Sequence, residues 1–210
     1  MPFVASHTQE VHDLAAAPPS DGPEVVIVGR SNVGTSSLIN ALCNQRQLAR
    51  VSTTPGRTQA LHFFAVRDPK IRGVQFTLVD VPGLGYAKAP EAVRKRFVPL
   101  LHSYLDGREG LSLLILLVDS RREPGDIERG ILERVLRRGV PMLVVLTKLD
   151  QVPRPHREGR AQQVAKALDL PRDSIHGAST LSGEGIDDLR RALSDFVRDL
   201  NLRGDDDPTD

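Results

Sequence analysis

The sequence predicts an α/β domain in which helices cover both faces of a mostly parallel, six-stranded sheet. Two observations support this prediction: short apolar runs alternate with helical segments, and a glycine-rich loop joins the first run to the first helix. Ligands of such folds bind at the carboxyl ends of the strands. The candidate strands are Glu24–Val28, Leu61–Arg67, Gly73–Val79, Leu111–Asp119, Pro141–Thr147 and Ser174–His176.

Five helical segments lie between and after these strands. The last one carries a stripe of apolar residues at helical spacing, including Leu189, Leu193 and Val197, that is predicted to pack on the sheet. Only a short turn around Asp68–Lys70 separates the second and third strands, so we expect an antiparallel hairpin there. The predicted helices are Thr35–Asn44, Pro90–Tyr104, Gly125–Arg138, His156–Leu168 and Gly185–Asn201.

Length and composition limit the architecture. With 210 residues, 40% of them apolar and 26% charged, the chain can bury one substantial core. We expect one domain over residues 23–203, a flexible N-terminal extension over 1–22 and an acidic flexible tail over 204–210. The apolar runs are too short to cross a bilayer, and no signal-peptide pattern precedes them, so we expect a cytoplasmic protein. The only cysteine, Cys43, is expected to be a core residue.

The charge pattern does not name a partner. Basic clusters at Arg94–Arg96, Arg134–Arg138 and Arg154–Arg160 stand against the acidic Asp205–Asp207, and the net charge is +1. Each cluster alone is more typical of a solvated helix face than of an RNA contact. Because aromatic residues make up only 4% of the chain, few side chains suit base stacking.

The loop between the first strand and the first helix fits the phosphate-binding pattern G-x-x-x-x-G-K-[ST] with one exception. Gly29 and Gly34 permit a backbone whose N–H groups point at an anion near a helix N-terminus. Ser36 keeps the hydroxyl that holds Mg²⁺ between phosphates. Thr35 stands where the pattern has lysine. The loop Gly29, Arg30, Ser31, Asn32, Val33, Gly34, Thr35, Ser36 and Ser37 is therefore predicted to bind phosphate groups.

Thr35 removes an ammonium group from this loop. A hydrogen bond to a charged group is worth roughly 1.5–3 kcal/mol, so triphosphate affinity should fall about tenfold to hundredfold. Three explanations remain open from the sequence. The threonine is an engineered change, or it belongs to a natural protein that handles nucleotide weakly, or another cation such as Arg30 or Lys88 replaces the lysine.

Three further motifs follow predicted strands. Asp80 suits Mg²⁺ held through water, and Gly83 can offer its N–H to a γ-phosphate. The Asp150 carboxylate can accept two hydrogen bonds from guanine, while the Lys148 stem packs along the base. Ser179–Leu181 can bring a backbone N–H to the guanine oxygen. The full motifs are Asp80, Val81, Pro82, Gly83; Thr147, Lys148, Leu149, Asp150; and Ser179, Thr180, Leu181.

Together these motifs resemble the EngB (YihA/YsxC) family of bacterial ribosome-assembly GTPases, over roughly residues 22–202. The resemblance implies a Ras-like P-loop G domain that binds GTP or GDP with Mg²⁺. It rests on Gly29–Asn40 (Gly-Arg-Ser-Asn-Val-Gly-x-Ser-Ser-Leu-Ile-Asn), Thr54–Gln59, Asp80–Lys88 and Thr147–Asp150.

The resemblance also implies roles and partners. Thr58 would join Ser36 and Asp80 on Mg²⁺, and Thr58 and Gly83 would serve hydrolysis at the γ-phosphate. Members assist maturation of the large ribosomal subunit, through rRNA and ribosomal proteins, and are linked to normal cell division and septation. The residues that would approach the γ-phosphate are Gly56, Arg57, Thr58, Gln59 and Ala60.

Two substitutions bear on mechanism. Leu84 occupies the place of the glutamine that orients water in Ras-like proteins, so intrinsic hydrolysis should be slow. Asn32 resembles an asparagine that related GTPases use to bind K⁺ beside the phosphates, which implies a K⁺ site. Alternatively, Asn32 only stabilises the loop through its own backbone contacts. The function is then a GTP switch or, alternatively, a nucleotide-weak module that binds the ribosome. A P-loop ATPase or kinase is less favoured because of Asp150, and we expect a monomer.

Overall fold

The computed structural model describes residues 1–49, 60–72, 74–81, 83–84 and 91–205, without the side chains of residues 91–96 and 203–205. These residues form one seven-stranded sheet in the order β1-β3-β4-β2-β5-β6-β7. The β1–β3 and β3–β4 pairs are antiparallel and the others are parallel. The strands are β1 Val4–Val11, β2 Glu24–Gly29, β3 Leu61–Arg67, β4 Gln75–Asp80, β5 Leu111–Asp119, β6 Met142–Thr147 and β7 Ile175–Gly177.

Helices cover both faces of the sheet. Alternate residues of β2 point to opposite faces, so Val26 belongs to the core cluster that includes residues of α2, α3 and α4, whereas Val25 belongs to the cluster that includes residues of α1 and α5. The predicted α/β class and the β3–β4 hairpin are confirmed, and Cys43 lies in the core as expected. The helices are α1 Thr35–Cys43, α2 Glu91–Gly107, α3 Asp126–Arg137, α4 Arg157–Leu168 and α5 Ile186–Asp205.

The first strand corrects the prediction. We expected six strands and a flexible extension over residues 1–22, but Val4–Val11 form β1 on the edge of the sheet beside β3. Most side chains of β1 are exposed and polar, so the segment has no apolar run. Its order comes from backbone pairing with β3 and from Phe3 and Val11, which are buried at its ends. The helix α5 also continues to Asp205, beyond the expected end at Asn201 and into the first two residues of the predicted flexible tail over 204–210.

A buried acid holds the amino end of β2. Glu24 is only 2% exposed, and its carboxylate accepts hydrogen bonds from the Tyr104 hydroxyl at 2.7 Å and from Arg108 Nη2 at 2.6 Å. Arg108 Nη2 also donates to the carbonyl of Pro18 at 2.6 Å. The cluster ties the chain before β2 to the end of α2. It anchors the amino end of β2, whereas the glycine-rich loop follows the carboxyl end.

Candidate functional site

The glycine-rich loop leaves the carboxyl end of β2 and enters α1. A Cβ atom on Gly29 would lie 2.6 Å from Val33 Cγ1, so a side chain does not fit there. Asn32 has φ 61° and Gly34 has φ 108°, both left-handed, and Gly34 precedes the first residue of α1. The first N–H groups of α1 have no partner within the helix, and they carry the positive end of its dipole. The loop therefore has the geometry of an anion-binding nest.

A serine and an aspartate meet beside this loop. The Ser36 hydroxyl donates to Asp80 Oδ2 at 3.2 Å, and Asp80 is 4% exposed. Burial raises the pKa of Asp80 to about 7, although the Ser36 and Thr35 hydroxyls lower it in part. Asp80 Oδ1 is buried and has no hydrogen-bond partner among the described residues. A hydroxyl next to a carboxylate oxygen with spare capacity fits Mg²⁺ or a water bound to it.

The residues after Asp80 return to the loop. Leu84 N–H donates to the Gly29 carbonyl at 2.9 Å, and Ser31 N–H donates to the Leu84 carbonyl at 2.8 Å. A Cβ atom on Gly83 would lie 2.7 Å from Ser31 Cα, so only glycine permits this approach. Ser31 Oγ is buried and has no hydrogen-bond partner in the described part of the chain. The predicted γ-phosphate residue Gly83 is thus adjacent to the loop.

The end of β6 is bonded to the same loop. Thr147 Oγ1 donates to the carbonyl of Val33 at 2.8 Å, and Lys148 Nζ donates to the carbonyl of Asn32 at 2.7 Å. Both bonds join residues far apart in the chain. The motif Thr147–Asp150 and the glycine-rich loop therefore form one site at the carboxyl ends of β2 and β6.

The Asp150 carboxylate, which is predicted to read guanine, is half-buried and lies beside two polar side chains. Ser179 Oγ and Gln151 Nε2 each donate to an oxygen of Asp150 at 2.5 Å, and these bonds lower its pKa. Ser182 N–H donates to Ser179 Oγ at 3.1 Å, which shapes the turn that contains Thr180 and Leu181. The structure thus brings Asp150 into contact with Ser179, the first residue of the predicted Ser179–Leu181 motif, whereas Leu181 is exposed.

Other predicted residues differ in their placement. Ser37 lies in the first turn of α1, Val81 is buried after β4, and Ala60 is buried before β3. Arg30 Nε lies 4.0 Å from Glu128 Oε1, and Glu128 itself caps α3 by accepting from Gly125 N–H at 2.9 Å. The predicted Gly56, Arg57, Thr58, Gln59, Pro82 and Lys88 lie outside the described residues.

The sequence reasoning missed one charged cluster. Asp119 at the end of β5 accepts hydrogen bonds from Lys148 and Arg121 and is 7% exposed. The available signal was a polar run, Asp119 to Arg122, at the carboxyl end of a buried strand, where ligands of such folds bind.

These contacts define a P-loop nucleotide-binding domain, and comparison with known proteins agrees. Residues 24–148 match the family described as 50S ribosome-binding GTPase. The probable GTP-binding protein EngB of Geobacter metallireducens is 43% identical over 187 residues, covering 89% of this chain and 87% of that protein. The corresponding protein of Syntrophotalea carbinolica is 42% identical over 183 residues, covering 87% and 86%. This chain belongs to the EngB family of GTP-binding proteins.

Solved structures share the fold at lower identity. A probable GTP-binding protein engB has a TM-score of 0.65 and 20% identity, covering 84% of this chain and 99% of that chain. Era, in complex with MgGDPNP and nucleotides 1506–1542 of 16S ribosomal RNA, has a TM-score of 0.67 and 22% identity, covering 83% and 56%. These similarities show the Ras-like P-loop G-domain fold. Among the described helices, none is long and apolar enough to cross a membrane.

Proposed function

We propose that this chain is a GTP switch in large ribosomal subunit assembly, with nucleotide handling weakened by Thr35. The main supporting observation is the bonding of Thr147 and Lys148 to the carbonyls of the glycine-rich loop. These bonds hold the predicted base-reading and phosphate-binding residues in one site. The family description supports the ribosome as partner. A role in normal cell division and septation rests on the EngB family alone.

Each part of the site has a distinct task. The loop N–H groups and the start of α1 bind the phosphates. Ser36 and Asp80 hold Mg²⁺, which neutralises charge on the phosphate oxygens when it is bound. Asp150 accepts hydrogen bonds from guanine, and adenine offers no such donor pair. By family resemblance, Thr58 adds a third ligand to Mg²⁺, and Gly56–Ala60 and Gly83 respond to the γ-phosphate.

Hydrolysis is proposed to be slow for two reasons. Thr35 supplies no ammonium charge at the phosphates. Leu84 is 8% exposed and apolar, so its side chain cannot orient the attacking water as a glutamine does. The K⁺ ion considered for Asn32 gains no support, because the Asn32 carbonyl accepts from Lys148 and φ 61° is a conformation that asparagine tolerates.

The alternative is a nucleotide-weak module that binds the ribosome without a GTPase cycle. Only Thr35 favours this alternative. The ordered contacts of Asp150 and Lys148 argue against it, because a chain that no longer binds guanine has no need for them.

Titration with labelled GDP and GTP, with and without Mg²⁺, tests the proposal. We expect micromolar, Mg²⁺-dependent binding that excess ATP does not displace. Thr35→Lys should strengthen GTP binding about tenfold to hundredfold and raise turnover. Thr35→Ala is the matched control, since it changes the same position without adding charge. Absence of guanine-nucleotide binding by the parent chain would favour the ribosome-binding module, and unchanged turnover in Thr35→Lys would show that the ammonium is not limiting.

A further inference from the structure

The carboxylate of Asp119 binds two cationic side chains at the carboxyl end of β5. Oδ2 accepts from Lys148 Nζ at 2.9 Å and from Arg121 Nη2 at 2.7 Å. Oδ1 accepts from Arg121 Nε at 2.8 Å and from Arg121 N–H at 3.1 Å. Asp119 is therefore a buried anion with every bond assigned to a neighbouring donor.

Lys148 is held at both sides of its ammonium group. Nζ donates to Asp119 Oδ2, which belongs to β5, and to the Asn32 carbonyl, which belongs to the glycine-rich loop. The backbone of Lys148 is left-handed, with φ 56°. A lysine in water samples many rotamers, and ordering its side chain costs about 1.5–2 kcal/mol. Here those contacts select one rotamer before any ligand arrives.

We propose that Asp119 is a positioning residue for the guanine base: it fixes the Lys148 side chain so that its stem presents a flat apolar surface to the base. The inference rests on the proposed function, because the ligand is the guanine nucleotide. Asp119 itself touches no nucleotide in this scheme. Its effect passes through Lys148.

The electrostatics of the cluster support a charged Asp119. Burial alone would raise the pKa of Asp119, but the hydrogen bonds from Arg121 and Lys148 outweigh burial and hold this pKa well below its usual range. Without that charge, two cations would face each other across a neutral group. Their repulsion would move Lys148 away from the loop, since its side chain is 34% exposed and has solvent to enter.

Neighbouring bonds keep the local backbone in place without Asp119. Ser120 Oγ donates to the Lys148 carbonyl at 3.0 Å. Arg160 Nε donates to the Ser120 carbonyl at 2.7 Å, and Arg160 Nη2 donates to the carbonyl of Arg122. A substitution of Asp119 should therefore release Lys148 without unfolding the segment that follows β5.

A double-mutant cycle tests the inference. We expect Asp119→Asn to weaken GMP, GDP and GTP binding by a similar factor, about tenfold, because the defect lies at the base. In the Lys148→Ala background the same change should cost nothing further. Arg121→Ala is the matched control, since it removes one partner of Asp119 and leaves the Lys148 contact. Independent, additive losses would overturn the inference.

A second measurement needs no nucleotide. Acetylation of Lys148, followed by mass spectrometry, should be faster in Asp119→Asn because the ammonium loses its charged partner and keeps only the Asn32 carbonyl. The exposed Lys166 provides an internal reference. If Asp119→Asn does not fold, Asp119→Glu retains the charge at a different reach and should give an intermediate rate. Unchanged labelling would overturn the positioning role. If the parent chain binds no guanine nucleotide, the proposed function fails, and labelling alone then decides whether Asp119 positions Lys148.

Discussion

The base end and the phosphate end of this site differ in how completely their polar groups are paired. At the base end, Thr147, Lys148 and Asp150 all have hydrogen-bond partners, and Asp119 pairs with two cations. At the phosphate end, Asp80 Oδ1 and Ser31 Oγ are buried without a partner among the described residues. Buried polar groups normally have partners, so this contrast marks where the ligand contributes most.

The contrast separates two sources of affinity. Groups that are already ordered bind a base without a further cost in side-chain entropy. Groups that are buried but incompletely bonded gain a partner on binding, which offsets a penalty already present in the folded chain. The base end should therefore determine which nucleotide binds, whereas the phosphate end should determine how binding changes with Mg²⁺ and pH.

The largest expected effect comes from Asp150→Asn at the base end. The variant keeps one acceptor oxygen, but it loses the carboxylate charge and turns an N–H donor toward a donor of guanine. Because a hydrogen bond to a charged group is worth roughly 1.5–3 kcal/mol, GDP affinity should fall about hundredfold or more. Isothermal titration of GDP and ATP measures the change, and ATP binding should not improve. Gln151→Ala, which removes a neighbour of Asp150 and keeps the carboxylate, is the control. Retained GDP affinity in Asp150→Asn would remove Asp150 from base recognition.

The next effect concerns Asp80→Asn at the phosphate end, a substitution that should stabilise the nucleotide-free chain. The pKa of Asp80 is raised from 3.8 to about 7, so between these values the folded chain holds more protons than the unfolded chain. This contribution to stability is present below about pH 4 and is lost as pH rises through about 7. One pH unit of displaced titration is worth about 1.4 kcal/mol, so the loss should reach a few kcal/mol.

Urea unfolding of nucleotide-free protein in EDTA at pH 5 and pH 8 measures this loss of stability. Asp80→Asn should be more stable than the parent chain at pH 8, with a smaller difference at pH 5. The same variant should lose the Mg²⁺ dependence of GTP binding, because a carboxamide is a poorer ligand than a carboxylate. An equal difference at both pH values would show that Asp80 does not titrate in this range.

A third effect tests the bond between β6 and the loop. Thr147→Val replaces the hydroxyl by a methyl group and leaves the buried Val33 carbonyl without its donor, which should cost about 1–3 kcal/mol. Thermal unfolding without nucleotide measures the cost, and Thr147→Ser, which keeps the hydroxyl, is the control. A variant as stable as the parent chain would mean that the base end is not preorganised through this bond.

Most of the fold could be predicted because its signals are local. Runs of apolar residues mark β2 to β6, and the short turn after Arg67 predicts the hairpin. The strand β1 could not be predicted in this way, because it is largely polar and pairs with a segment at least fifty residues away. The Thr8 hydroxyl, for example, donates to the carbonyl of Phe63, 55 residues further along the chain. Edge strands depend on a partner's backbone more than on their own side chains.

The candidate site shows the same division. Motifs contiguous in sequence, such as Gly29–Ser36 and Thr147–Asp150, could be assigned from their residue types and spacing. The link between Asp119 and Lys148 could not, because it depends on the register of two parallel strands, in which Asp119 lies opposite Thr147. The contact of Arg30 with Glu128 likewise depends on where α3 packs.

The smallest effect distinguishes the two ends by its sign. Ser31→Ala removes a buried hydroxyl that has no described partner, so the nucleotide-free chain should be as stable as the parent or more stable, by about 1 kcal/mol at most. Thr147→Val, a comparable loss of one hydroxyl, is the matched comparison and should destabilise. When nucleotide is bound, Ser31 Oγ is expected to donate to the phosphates. GTP binding should then fall in Ser31→Ala, whereas guanosine, which has no phosphate, should bind unchanged. Destabilisation of the nucleotide-free Ser31→Ala chain would mean that this hydroxyl is already paired, and that the two ends do not differ in the way the contacts indicate.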